Sequence, residues 1–138
     1  VTAGADAAMS VLGVGIDIVS IPEFGEQLRQ PGTTFADRFT VRERRDAAAG
    51  TGDEARHLAA RWAAKEAVVK AWSVSRFSRQ PLLPLIRHSD IEVVTDNWGR
   101  PAIRLGGEIG DLLADTRVHI SLTHDGDTAA AVAILEGI

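Results

Sequence analysis

The chain has 138 residues, 45% of them apolar, a formal net charge of -4 and no cysteine. This is the size and composition of one globular domain that buries roughly two-thirds of its unfolded surface, which excludes a disordered chain, while the acidic balance argues against a protein that coats nucleic acid. Disulfides and thiolate zinc sites are excluded, and with no secretory leader pattern and no apolar stretch near the ~20 residues of a bilayer span, the reading is a cytoplasmic protein without a membrane segment. Residues 1–9 read as a flexible N-terminal extension in which Met9, the only methionine, is a candidate alternative start, and 10–138 read as a single domain.

From Val11 to Val19 the apolar residues alternate, with Leu12, Val14, Ile16 and Ile18 on one face and Gly13, Gly15 and Asp17 on the other. This predicts a strand whose aliphatic side is a core face. The other side is bare around Asp17 and leaves room for something to approach the sheet, although capping the next turn is an equally open role for this aspartate. Ser20 and Glu23, with Pro22 in the first turn, predict a short helix that ends near Arg29 before Gln30-Pro31-Gly32. Thr40 and Glu43 begin a second helix. Its Arg42, Arg44 and Arg45, with Arg38, form the densest positive cluster, which is either a solvated face or a docking surface for an acidic protein or a phosphate.

Ala47 to Asp53 reads as a turn, and Glu54 to Trp72, free of glycine and proline, as a long helix. At about 100° per residue, Leu58, Trp62, Val69 and Trp72 share a stripe that is stable only against a core, so both tryptophans read as core. Glu66 and Lys70 flank that stripe beside Ala59 and Ala63, small side chains that let a ligand approach the backbone. Taken alone, Glu66 and Lys70 are also an ordinary surface pair four residues apart, worth about 0.3 kcal/mol. For Lys65, near the stripe, a snorkelling stem and a ligand contact are both open.

Ser73 to Ser89 is loop-like. Asp90–Thr95 and Pro101–Leu105 predict a hairpin turning at Asp96-Asn97-Trp98-Gly99-Arg100, followed by a short helix over Gly107–Ala114. Val118–Leu122 and Ala129–Leu135 predict two more strands around Asp125-Gly126-Asp127. Ala129, Ala130, Ala131 and Ala133 are poor strand formers, so their use implies close packing, with the long helix as the neighbour. His57, His88 and His119 have no ligand spacing and read as plain polar residues.

Asp17 and Glu66 are a carboxylate pair of the kind that binds Mg²⁺ together with waters and phosphate oxygens. Lys70 and Arg61 on the same helix add two cations able to stabilise charge on a transferring phosphoryl group. Neither a Gly-x-x-x-x-Gly-Lys loop nor a Gly-x-Gly-x-x-Gly turn is present, so nucleotide triphosphatase and dinucleotide devices are missing.

Three motifs in order carry a resemblance: Gly-Val-Gly-Ile-Asp-Ile-Val at 13–19, Arg-Trp-Ala-Ala-Lys-Glu-Ala-Val-Val-Lys-Ala at 61–71 and Ser-Leu-Thr-His at 121–124, with Gly-Arg-Pro at 99–101 between the last two. Together they resemble the holo-acyl-carrier-protein synthases, the small trimeric class of 4′-phosphopantetheinyl transferases. The resemblance implies an α+β single domain with an antiparallel or mixed sheet packed against one long central helix, and a homotrimer with active sites at subunit interfaces. It also implies transfer of 4′-phosphopantetheine from coenzyme A to a serine of apo acyl carrier protein, releasing adenosine 3′,5′-bisphosphate. Asp17 and Glu66 would then hold Mg²⁺, Glu66 or a metal-bound water would accept the serine proton, and Lys70 would neutralise phosphate charge. Arg61 and His124 would meet the 3′-phosphate or its neighbourhood, and Gly99, Arg100, Pro101 and Thr123 would bracket the adenosine.

One departure stands out against the family, whose first helix is commonly basic. Here that helix carries Glu23, Glu26 and only Arg29, which moves the expected carrier contact to Arg38, Arg42 and Arg45. Two other readings use the same residues: a Mg²⁺-dependent phosphohydrolase acting on a small phosphoester, and a non-catalytic module that binds coenzyme A or an acidic protein.

Overall fold

The computed structural model describes residues 8–138, so most of the expected N-terminal extension lies outside the described residues. In chain order the elements are β1 (Ser10–Ser20), α1 (Ile21–Arg29), α2 (Val41–Ala49), α3 (Glu54–Ser75), β2 (Ile91–Thr95), β3 (Pro101–Leu105), α4 (Gly107–Leu112), β4 (Arg117–Asp125) and β5 (Thr128–Gly137). Single 3-10 turns stand at Phe35–Arg38 and His88–Asp90. The strands form an antiparallel sheet in the order β1-β5-β4 and a separate antiparallel β2-β3 hairpin. The α+β class, the long central helix and the hairpin are as the sequence predicts, with α3 running three residues further.

Local chemistry sets these boundaries. The Ser20 hydroxyl accepts from the Glu23 amide at 3.4 Å to start α1. At α2 the box is reciprocal, with Thr40 N donating to Glu43 Oε1 at 2.9 Å and Glu43 N to Thr40 Oγ1 at 3.1 Å. Asp53 caps α3 through Ala55 N. The β2-β3 turn closes on Gly99, whose φ of +78° is a conformation that side chains resist, while the Asp96 carboxylate accepts from the Trp98 and Arg100 amides.

The main core lies where α3 crosses the three-stranded sheet. Ala63, Ala64, Ala67, Val68 and Ala71 pack there with Ala131, Ala133 and Leu135, so the alanines of β5 do meet the long helix. A second cluster under α1 and α2 is aromatic. Phe24, Phe35 and Phe39 meet edge to face, and the Phe35 and Trp62 ring centroids are 5.0 Å apart.

The two faces of β1 are the reverse of the expectation. Gly13 and Gly15 are the buried side, and a Cβ added to either would fall 2.0 Å from the Ala71 carbonyl oxygen or 1.9 Å from that of Ala67. What approaches the bare face is therefore α3 itself. Leu12, Val14, Ile16 and Ile18, expected in the core, are 37–69% exposed and continue across the sheet into Val132 and Ile134, which pair with Ile16 and Val14. Alternation defines two faces without saying which turns inward, and here backbone proximity to a helix outranks side-chain volume.

The helix stripe is also broader than periodicity suggests. Leu58 and Trp72 are buried, but Trp62 and Val69 are only half-buried, because alanines occupy most of the closely packed positions. Ala59 and Ala63 are 0% exposed, so their small size admits neighbouring protein rather than a ligand.

Candidate active site

Asp17 sits on the side of β1 that faces α3, opposite Ala131 in register. Lys70, in the C-terminal part of α3, places Nζ 3.0 Å from Asp17 Oδ1 and 3.0 Å from the Ile16 carbonyl oxygen, with its side chain 52% exposed. Glu66, one helical turn earlier, lines a cavity of about 470 Å³ together with Asp17, Trp62, Phe24 and Phe35. The sequence-predicted carboxylate pair is thus brought together, with Lys70 bound to one member.

That donor set fits a magnesium ion. Both groups are hard oxygen ligands, they open into one cavity, and they leave other coordination positions to water and phosphate. Among the described residues no group of three or more His, Cys, Asp or Glu side chains is arranged to cage a metal. A site completed by substrate oxygens is what two carboxylates alone can provide.

A second cavity, of about 870 Å³, gathers Arg61, Gly99, Pro101, Thr123 and His124 from three distant stretches of chain. Arg61 is only 9% exposed. Its Nη1 donates to the His57 carbonyl at 3.2 Å, while Nε is buried without a partner among the described residues. Burial pulls the guanidinium below its ordinary pKa, against Asp46 and Glu43, which act to raise it. Arg61 thus places a mostly buried positive charge beside the cavity, a residue type suited to phosphate recognition.

His57, read as a plain polar residue, lines this cavity too. Its Nε2–H donates to the Thr51 carbonyl at 2.7 Å, and its ring meets His124 edge-on at 6.2 Å. Arg100 is placed elsewhere: its Nε lies 2.6 Å from Asp96 Oδ2 and its guanidinium covers the Trp98 ring, outside the lining of the cavity. No residue lines both cavities.

Lys65 is neither a snorkelling stem nor a ligand contact. It is 0% exposed and donates to Glu43 Oε1 at 2.8 Å, to the His88 carbonyl at 2.8 Å and to the Ile91 carbonyl at 2.7 Å. Glu43 Oε2 in turn accepts from Val93 N at 2.9 Å. Burial lowers the Lys65 pKa and the Glu43 carboxylate opposes that shift. His88, also read as plain, has Nε2 2.8 Å from Glu66 Oε1. No spacing signal links these two residues, because the irregular segment after α3 joins them.

The sequence matches the 4′-phosphopantetheinyl transferase superfamily over residues 13–134. It is 66% identical to the holo-[acyl-carrier-protein] synthase of Mycobacterium tuberculosis (strain ATCC 25618 / H37Rv) over 128 residues, 93% of this chain and 98% of that protein. The fold superimposes on the M. tuberculosis acyl carrier protein synthase with a TM-score of 0.79 at 60% identity, covering 94% of this chain and all of that one. It also superimposes on the Chronobacterium ammoniagenes ACPS-CoA complex with a TM-score of 0.84 at 43% identity, covering 96% and 99%. With a match that runs from Gly13 in β1 to Ile134 in β5, the chain belongs to the 4′-phosphopantetheinyl transferase superfamily.

Proposed function

We infer that the chain transfers the 4′-phosphopantetheine group of coenzyme A to a serine of apo acyl carrier protein. The observation that carries this reading is that Asp17 and Glu66 line one cavity, with Lys70 hydrogen-bonded to Asp17, in a chain whose relatives are holo-[acyl-carrier-protein] synthases. Arg61 and His124 take the 3′-phosphate in the second cavity, while Gly99, Pro101 and Thr123 bracket the adenosine. Arg100, whose guanidinium and backbone amide are both turned onto Asp96, stands outside that bracket.

In the reaction the serine hydroxyl attacks the phosphorus that carries the pantetheine arm. A serine oxygen–phosphorus bond forms, the bond to the bridging pyrophosphate oxygen breaks, and its electron pair leaves with adenosine 3′,5′-bisphosphate. Glu66, or water beside it, accepts the hydroxyl proton. Asp17 and Glu66 would hold Mg²⁺, and the chemistry that ion would supply is withdrawal of charge from the phosphate oxygens. Lys70, mostly in solvent and tethered through Asp17, neutralises charge that grows on the leaving phosphate.

The deciding experiment is the intact mass of apo carrier protein after incubation with coenzyme A, with and without Mg²⁺. A metal-dependent gain the size of phosphopantetheine, reduced at least ~100-fold in rate by Glu66→Gln and by Asp17→Asn, is the expected result. No gain with any carrier would leave the phosphohydrolase or binding-module readings.

Two further parts of the reading concern partners. The carrier docks on Arg38, Arg42 and Arg45, all exposed and close in sequence around the Thr40 cap. Reversing all three charges slows carrier association and flattens its salt dependence, and an unchanged salt dependence would refute this surface. The exposed Leu12, Val14, Ile16 and Ile18 face packs in a homotrimer that places active sites at subunit interfaces, which accounts for large aliphatic side chains on an open sheet. Sedimentation of Ile16→Glu as a monomer, against a trimeric parent, is the expected outcome, and a parent that sediments as a monomer excludes it.

A further inference from the structure

His88 is gripped at both ends by consecutive residues of α3. Its carbonyl accepts from Lys65 Nζ at 2.8 Å, and its ring nitrogen Nε2 lies 2.8 Å from Glu66 Oε1. Between those two points the ring lies over Trp62, with centroids 4.6 Å apart and planes tilted by 40°. Lys65 is itself immobilised by Glu43 and by the Ile91 carbonyl, so the backbone at His88 is tied to a fixed point of the core.

The consequences fall on Glu66. A glutamate on a helix surface has three side-chain torsions and many orientations, and this one is 28% exposed. The imidazole occupies one side of its carboxylate from a position that neither the ring stack nor the Lys65 anchor lets drift. Resting on the reading of Glu66 as a metal-holding carboxylate, we propose that His88 is a positioning residue for the transfer reaction, holding Glu66 in the orientation in which it shares a cavity with Asp17. Groups that orient a ligating carboxylate in this way tune metal affinity without touching substrate.

The test compares His88→Phe, which keeps a ring on Trp62 but removes the nitrogen, with His88→Gln, which restores an N–H donor. Mn²⁺ binding to the coenzyme A-loaded protein is followed through the spin-resonance signal of the free aquo ion, beside kcat, KM for coenzyme A and the thermal midpoint. His88→Phe is expected to weaken Mn²⁺ and lower kcat by about tenfold each, with an unchanged thermal midpoint. KM for coenzyme A stays within about twofold, because the Arg61 cavity is separate. His88→Gln is expected to recover most of both losses. Wild-type Mn²⁺ affinity in His88→Phe, or a Gln variant as impaired as the Phe variant, would overturn the proposal. Unaltered Mn²⁺ affinity in Glu66→Gln would instead show that Glu66 holds no metal, and the role of His88 would fall with that reading.

Discussion

Two lysines five residues apart on α3 meet carboxylates in opposite surroundings. Lys65 is sealed from water, spends its three donors on Glu43 and two backbone carbonyls, and joins α2, α3 and β2 at one point. Lys70 reaches Asp17 from the end of a half-solvated side chain. The first pair is saturated and has nothing left for a ligand. The second has one donor beyond those given to Asp17 and the Ile16 carbonyl, and its carboxylate shares a cavity with Glu66. One helix therefore carries a saturated, sealed charge and a half-solvated one, and what separates them is whether every donor and acceptor already has a protein partner.

The largest way to break this contrast is Lys65→Met. It leaves the Glu43 carboxylate buried without its cation, at a cost of about 3–5 kcal/mol in urea unfolding. A loss below about 1 kcal/mol would mean that the backbone amides of Thr40 and Val93 alone satisfy Glu43.

Lys70→Met sharpens the contrast from the other side. Stability should change by less than about 1 kcal/mol, because the Lys70 end of the pair is half in solvent. The transfer rate, measured by carrier mass shift, should fall by about 10–100-fold. Full activity would remove Lys70 from the chemistry.

The smallest effect concerns Glu92, beside the buried hub. Its burial acts to raise the pKa, but the hydrogen bonds from Thr40 and Arg104 outweigh it, and the net direction is down from 4.5. A carboxylate whose folded pKa is lowered contributes stability above its unfolded pKa and loses it as pH falls through the folded value. Glu92→Gln should therefore be less stable than the parent by about 1 kcal/mol at neutral pH. The difference should shrink as pH drops below about 4.5. A gap that persists at pH 2 would point to packing rather than charge.

Much of the site was legible because its signals are local. Glu66 and Lys70 are four apart on a helix without breakers, and Asp17 stands on a glycine-rich strand face that nothing bulky fills. Arg61, Gly99, Pro101, Thr123 and His124 belong to motifs whose order carried the resemblance, and they do line one cavity. His88 and His57 carry no signal in the sequence because each meets its neighbour at the site across irregular backbone, where no period operates. Arg100 was assigned by its place in a motif, yet the exposed Asp96 four residues before it captures the side chain.

Period, caps and turns are written in adjacent residues, so the sequence by itself determined the elements, the order of the motifs and the placement of Glu66 one turn before Lys70. Which face of β1 turns inward, and which lysine of α3 loses its water, are decided by what packs across the chain. Gly13 and Gly15 draw the strand onto the helix backbone and leave the aliphatic face open, while Glu43 arrives from another helix to bury Lys65. Burial is a property of neighbours brought together by folding, and only the tertiary structure decided it.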